Sequence, residues 1–220
     1  MELKLKMKFY FIFFILYSNT ASALFLKNLN MEMEPSKGIH YEEITNETLG
    51  RKIYTLQVVQ VSLPKGGAKE TEITNGNLMY SPQKIVLNSH ETGGFKFYYK
   101  DEPEDKERYF RIKFIETPIE MDTIDKSKMT FLYDYRVAIE AIMVVRPRKE
   151  IFEYEMKNGI LSNKGNTFFK YMSSKDCKRQ YSHSKFIAPG ESVDLNDEIK
   201  KENRIIIYKK NIIPLSTCMT

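Results

Sequence analysis

FLYDYRVAIEAIMVVRPR, residues 131–148, is the stretch that decides how this chain folds. Its odd positions are Phe131, Tyr133, Tyr135, Val137, Ile139, Ala141, Met143 and Val145, and its even positions begin Leu132, Asp134, Arg136, Ala138 and Glu140. Successive side chains of a strand point to opposite faces, so the pattern predicts a long strand with one continuous apolar face. The other face turns from mixed and polar to apolar near Ile142. An apolar strand of this length invites pairing with another chain, so the fold either covers it or uses it to pair.

The same period recurs outward from this stretch. Tyr54, Leu56 and Val58 alternate with Thr55 and Gln57 ahead of the turn signal Leu63-Pro64-Lys65-Gly66-Gly67. Phe95, Phe97 and Tyr99 alternate with Lys96 and Tyr98, and Phe110, Ile112 and Phe114 alternate with Arg111 and Lys113. Between these two runs the charged residues 100–108 (KDEPEDKER) read as a solvated connection. Residues 151–156 lead into Asn158-Gly159, a pair suited to a tight hairpin. Residues 160–162 and 167–172 flank Asn163-Lys164-Gly165-Asn166, Pro189-Gly190 marks another turn, and residues 204–208 form a last strong strand. No segment sustains a period of 3.6 residues. Many short strands separated by turns predict an all-β chain built of sandwiches. The polar, proline-containing residues 146–150 are where two domains are expected to join.

Residues 1–23 have the three parts of a secretory signal peptide: Lys4, Lys6 and Lys8, an apolar run over 9–17, and Ala21-Ser22-Ala23. Cleavage is expected after Ala23. The apolar run is shorter than the ~20 residues that span a bilayer, so no membrane insertion is expected of the mature chain. Leu24 rather than cysteine follows the cut, which argues against a lipid anchor. The remaining 197 residues suit one large domain or two immunoglobulin-like sandwiches of about 100 residues each. Losing three lysines and one glutamate lowers the formal charge from +5 to +3, a mild surplus spread along the chain and no nucleic-acid footprint. An oxidising compartment permits a disulfide between Cys177 and Cys218, and two unpaired thiols are the alternative.

No chemistry-bearing constellation emerges. His40, His90 and His183 lie in unrelated segments without metal spacing, and two cysteines with dispersed histidines do not make a zinc site. Glycine-rich phosphate loops and GxSxG are missing from the sequence, and the carboxylates fall in lysine-rich loops. No catalytic residue, metal or cofactor is therefore expected. Asn46-Glu47-Thr48 matches a glycosylation sequon, which matters only in a eukaryotic secretory pathway.

Several blocks, in this order and spacing, resemble the periplasmic pilus chaperones of the PapD-like superfamily. Ser81-Pro82-Gln83-Lys84-Ile85-Val86-Leu87 followed by Gly94-Phe95-Lys96-Phe97 resembles the family's proline-led strand pair. Residues 105–112 (DKERYFRI), running on to Glu116-Thr117-Pro118, resemble its acidic-loop-to-strand block, and Ile142-Met143-Val144-Val145-Arg146-Pro147 resembles the end of its long edge strand. Residues 98–112, 144–148 and 158–166 are most similar to the branch serving the common (Ecp/Mat-type) pilus.

The resemblance implies a boomerang of two immunoglobulin-like β-sandwich domains. The first, 24–146, carries the long edge strand, and the second spans 147–220. It implies a non-enzymatic chaperone of the periplasm that lends this strand to pilin subunits, each a sandwich lacking its last strand, for delivery to an outer-membrane usher. The expected donor row is Tyr133, Tyr135, Val137, Ile139 and Ala141. A second copy of the chain is an alternative cover for the edge of the free protein. Glu107 and Arg146 fall on two positions of the family's buried interdomain ion-pair network. The third, normally acidic, falls on Lys210 or Asn211, so the network is expected to shrink to a pair. Ile142 stands where better-known members anchor the pilin carboxylate with a lysine. The first-strand region, residues 24–41, offers only Lys27 and Lys37. Arg136, Arg51 and Arg146 remain as candidate anchors. The rival reading is a secreted two-domain immunoglobulin-like adhesion or receptor module, and fold alone does not decide between them.

Overall fold

The computed structural model describes residues 24–34, 37–73, 76–100, 105–119, 136–175, 181, 183–195 and 202–216. The export segment, Tyr133, Tyr135, Cys177 and Cys218 lie outside the described residues. Every regular element described is a strand. The first group is β1 (Leu24–Leu26), β2 (Asn30–Met33), β3 (Ile39–Asn46), β4 (Lys52–Val61), β5 (Glu70–Thr71), β6 (Leu78–Ser81), β7 (Lys84–Leu87), β8 (Thr92–Tyr99), β9 (Arg108–Pro118) and β10 (Val137–Val145). The second is β11 (Tyr154–Lys157), β12 (Ile160–Asn163), β13 (Phe169–Lys175), β14 (His183–Ile187), β15 (Ser192–Asp194), β16 (Glu202–Tyr208) and β17 (Asn211–Ser216).

The two groups form two sandwiches. In the first, a sheet ordered β1-β3-β8-β6 packs on one ordered β2-β10-β9-β4-β5, with β7 also on β4. In the second, β11-β12-β15 faces β14-β13-β16-β17. The alternation seen in the sequence accounts for the first core: Tyr54 and Leu56 of β4, Phe95 and Phe97 of β8, and Phe110, Ile112 and Phe114 of β9 point inward together. The second core gathers Leu161, Phe169, Tyr171, Ile187, Leu195 and Ile206. A third, smaller cluster of Val61, Tyr109 and Val144 with Phe168 and Ala188 joins the two. The Asn158-Gly159 turn between β11 and β12 has φ of 51° and 76°, the left-handed pair that a two-residue hairpin needs.

Each sandwich closes one corner with a buried asparagine in the same way. Asn46 ends β3, and its amide donates to Gly50 O at 2.7 Å and Leu87 O at 3.3 Å while its Oδ1 accepts the Thr48 N–H. Asn163 ends β12, donates to Thr167 O at 2.8 Å and Ile187 O at 2.9 Å, and accepts the Gly165 N–H. The backbones match as well: Asn46 N donates to Glu91 O and Asn163 N to Glu191 O. Only an amide side chain offers two donors and an acceptor from one short stem, which suits it to tie three chain segments at a corner. Asn46 is 0% exposed, so the sequon match marks a structural residue.

Candidate functional site: a half-open strand edge above a buried hinge

β10 pairs with β9 along its whole length, from Val137 opposite Glu116 to Val145 opposite Arg108. Among the described residues its other edge is covered only over its second half. β2 lies parallel to it from Ile142 opposite Asn30 to Val145 opposite Met33. Ile142 N donates to Leu29 O at 2.9 Å and Arg146 N to Met33 O at 3.0 Å. Backbone N–H groups alternate sides along a strand, so those of Ala138 and Glu140 point the same way as that of Ile142. Among the described residues no strand lies against them.

The side chains divide at the same place. Val137 and Ile139 are partly buried, with Ile139 packed at the margin of the first core, while Ala141, Met143 and Val145 belong to that core. Ala141 is 2% exposed and so sits inside its own sandwich, although the sequence pattern alone places it with the donor row. On the opposite face Glu140 is exposed and lies 3.1 Å from Lys113 and 3.7 Å from Arg111. Ile142 and Val144 on that face border an apolar recess with Pro64, Phe168 and Phe186.

Directly after β10, Arg146 enters a buried network that crosses between the sandwiches. Its guanidinium donates to Glu107 Oε1 at 2.7 Å and to the Thr167 hydroxyl, which in turn donates to Glu107 Oε1 at 2.7 Å. Glu107 Oε2 accepts the Tyr109 hydroxyl at 2.6 Å and the Phe168 N–H at 2.9 Å. The Arg146 guanidinium also lies 4.1 Å from the centre of the Phe168 ring. The expectation of an isolated pair needs correction. Glu32 of β2 supplies a third charge, accepting Arg146 Nη2 at 2.9 Å and Nε at 3.3 Å. The acid comes from the first sandwich because the parallel β2–β10 pairing carries Glu32, opposite Val144, alongside the end of β10.

Burial pushes the Glu107 carboxyl above its ordinary value, against the lowering pull of the Tyr109, Thr167 and Arg146 contacts and the Phe168 N–H. The same burial opposes the charge on Arg146, but Glu32 and Glu107 together hold its pKa above the ordinary range. Burial and the Glu107 charge raise the Tyr109 phenol far beyond neutral pH, which keeps it a donor.

The linker is fastened by a second set of contacts. Asn166 donates to Lys149 O at 2.8 Å and to Asp105 O of the first sandwich at 3.0 Å, and accepts the Ile151 N–H at 2.7 Å. Gly165 packs so closely here that a Cβ would meet Ile151 O at 2.1 Å, so only glycine fits. Glu150 accepts the Tyr208 hydroxyl at 2.6 Å and Lys209 Nζ at 2.9 Å. Burial alone would raise the Glu150 carboxyl, but the Tyr208 and Lys209 hydrogen bonds and the Lys209 charge bring it below its ordinary value. Lys65 of the first sandwich pairs with Glu191 of the second.

The structure thus brings Glu107 and Arg146 together and leaves the other arginine candidates apart from them. Arg136 and Arg51 are exposed at the far end of the sheet, where Val137 faces Glu116 and Lys52 faces Pro118. The nine residues of β10 separate Arg136 from Arg146, ten steps or about 33 Å at the usual rise. Glu32, Thr167 and Asn166 are the contributors that sequence reading missed. Asn30-Met31-Glu32-Met33 does alternate, with both methionines buried, but four residues are a faint signal of a strand.

Comparison with known proteins places this geometry. Residues 152–214 match the family described as the EcpB C-terminal domain. The chain is 25% identical over 199 residues to the probable fimbrial chaperone EcpE of Escherichia coli (strain K12), covering 88% of this chain and 84% of that protein. It is 22% identical over 201 residues to the probable fimbrial chaperone EcpB of Klebsiella pneumoniae (strain 342), covering 86% and 89%. Among solved structures it is similar to the class 5 fimbriae chaperone CfaA, with a TM-score of 0.59 at 15% identity over 90% of this chain and 100% of that one. It is also similar to a chain in the complex of the Salmonella enterica SafA pilin with the SafB chaperone, with a TM-score of 0.57 at 9% identity over 90% and 96%. These likenesses establish the fold as that of the two-domain immunoglobulin-like chaperones.

Proposed function

We propose that the chain, which is similar to the probable fimbrial chaperones EcpE and EcpB, is a periplasmic chaperone that holds pilin subunits by strand addition along β10 and delivers them to an outer-membrane usher. The observation that carries this reading is the open edge at 137–141, where backbone donors and an apolar row lie side by side. An incomplete sandwich added there gains main-chain hydrogen bonds from the edge, and its groove takes up the alternate side chains of the row. The donor row in this proposal is Val137 and Ile139, continued by Tyr133 and Tyr135, and it ends where Ala141 turns into its own core. The domains are assigned as 24–146 and 147–220, with residues 1–23 an export signal cleaved after Ala23. The Glu107–Arg146 network fixes how the domains meet, and Arg136, next to the open edge, is better placed than Arg51 to meet a client carboxylate.

The test is co-production with a pilin subunit in the periplasm, followed by co-purification. Val137→Asp puts a charge into a surface that the client must desolvate, so the complex is expected to be lost while the free protein keeps its thermal midpoint. Protection of the subunit from proteolysis by this variant would sink the donor-strand assignment. Failure of the unaltered chain to protect it would sink the chaperone reading.

A further inference from the structure

Two strands have a claim on one edge of β10. β2 holds residues 142–145 of it, and the Ile142 N–H is already donated to Leu29 O. A client strand laid against Ala138 and Glu140 therefore meets the start of β2, and the firmness of β2 decides how far that strand can run. β2 is only four residues long, and so short an edge strand is not held firmly by its backbone ladder alone. Its outward side chain Glu32 reaches both Nη2 and Nε of Arg146, the residue whose backbone N–H also holds Met33 O.

Glu32 is not needed to neutralise Arg146. Glu107 already does so, with both of its oxygens doubly occupied inside the network. The Glu32 side chain is 46% exposed, so burial does not compel its pairing either. What the pair does is tie β2 to the hinge. We propose that Glu32 is a positioning residue that pins β2 on β10 and so stops an added client strand at Ala141, setting its register. The pin is a property of the free protein, and the register consequence rests on the strand-addition reading above.

Amide hydrogen exchange on the full-length mature chain, free and bound to a pilin subunit, tests both parts. In Glu32→Ala the Ile142 and Arg146 amides of the free protein are expected to exchange about tenfold faster, the loss of one half-exposed, charge-assisted pair. Glu32→Gln, which keeps an accepting oxygen, should recover part of that protection. Amides that β10 shares with β9 should not change. Unchanged exchange at Ile142 and Arg146 overturns the pin, and so does equal acceleration across the whole first sandwich. In the complex, the unaltered chain should gain protection at Ala138 and Glu140, whereas Glu32→Ala should carry new, client-dependent protection on to Ile142. Client protection that ends at Glu140 in both proteins overturns the register claim. No gain at Ala138 and Glu140 in the unaltered chain overturns it together with the strand-addition reading, while the free-protein exchange still judges the pin.

Discussion

Glu107 fills its acceptor capacity with one guanidinium, two hydroxyls and one backbone N–H drawn from both sandwiches. A buried carboxylate satisfied to this degree contributes modestly as a pair but is costly to break, because removing one side strands the other charge away from water. Arg146→Ala is therefore expected to destabilise the protein by about 3–5 kcal/mol, read as a shift in the urea midpoint at constant slope. Combining it with Glu107→Gln should return part of that loss, since the stranded charge is gone. A single-variant cost below about 1 kcal/mol would mean that water reaches the pair. The sequence placed Glu107 and Arg146 at a hinge only through family resemblance. Thr167 and Glu32 escaped it because neither residue type, nor its local setting, announces a partner more than a hundred positions away or across a domain joint.

β10 shows how one strand can do two things. Its alternation is continuous, yet the fold spends the lower residues, Ala141, Met143 and Val145, on its own core and leaves Val137 and Ile139 at the margin. Enlarging the two ends should separate these roles. Ala141→Leu overfills a packed site and is expected to cost about 1–3 kcal/mol of stability in the free protein. Val137→Leu should leave the free protein within about 0.5 kcal/mol of the unaltered chain and change client affinity instead. Thermal denaturation of both variants, with and without a pilin subunit, checks the division; equal destabilisation would place Val137 in the core as well. A period of two assigns residues to a face but says nothing of where along that face the opposing sheet ends, which is why the sequence read the whole row as one surface.

At the scale of the molecule, the second sandwich uses its own asparagine corner, residues 163–168, to grip the first, while the equivalent corner at Asn46, among the described residues, closes its own sandwich. The linker adds a tether in Glu150. Its carboxyl is lowered from the ordinary 4.5 in the folded protein, so the unfolded chain binds the proton more readily. The stability it contributes is therefore present above that ordinary value and lost as the pH falls through the lowered one. Glu150→Gln should be less stable than the unaltered chain at neutral pH, and the gap should close as the buffer is taken below pH 4.5. A gap that persists unchanged in acid would remove the charge from the explanation. Period-two alternation and turn chemistry, both local, were enough for the sequence by itself to determine an all-β chain of short strands, its Asn-Gly hairpin and an alternating strand within 131–148, of which the described part is the nine residues of β10. Which half of that strand β2 covers, which acid completes the hinge and which asparagine is structural were decided only by the tertiary structure. Each depends on segments such as Glu32 and Arg146, 114 residues apart, that only the folded sheet lays side by side.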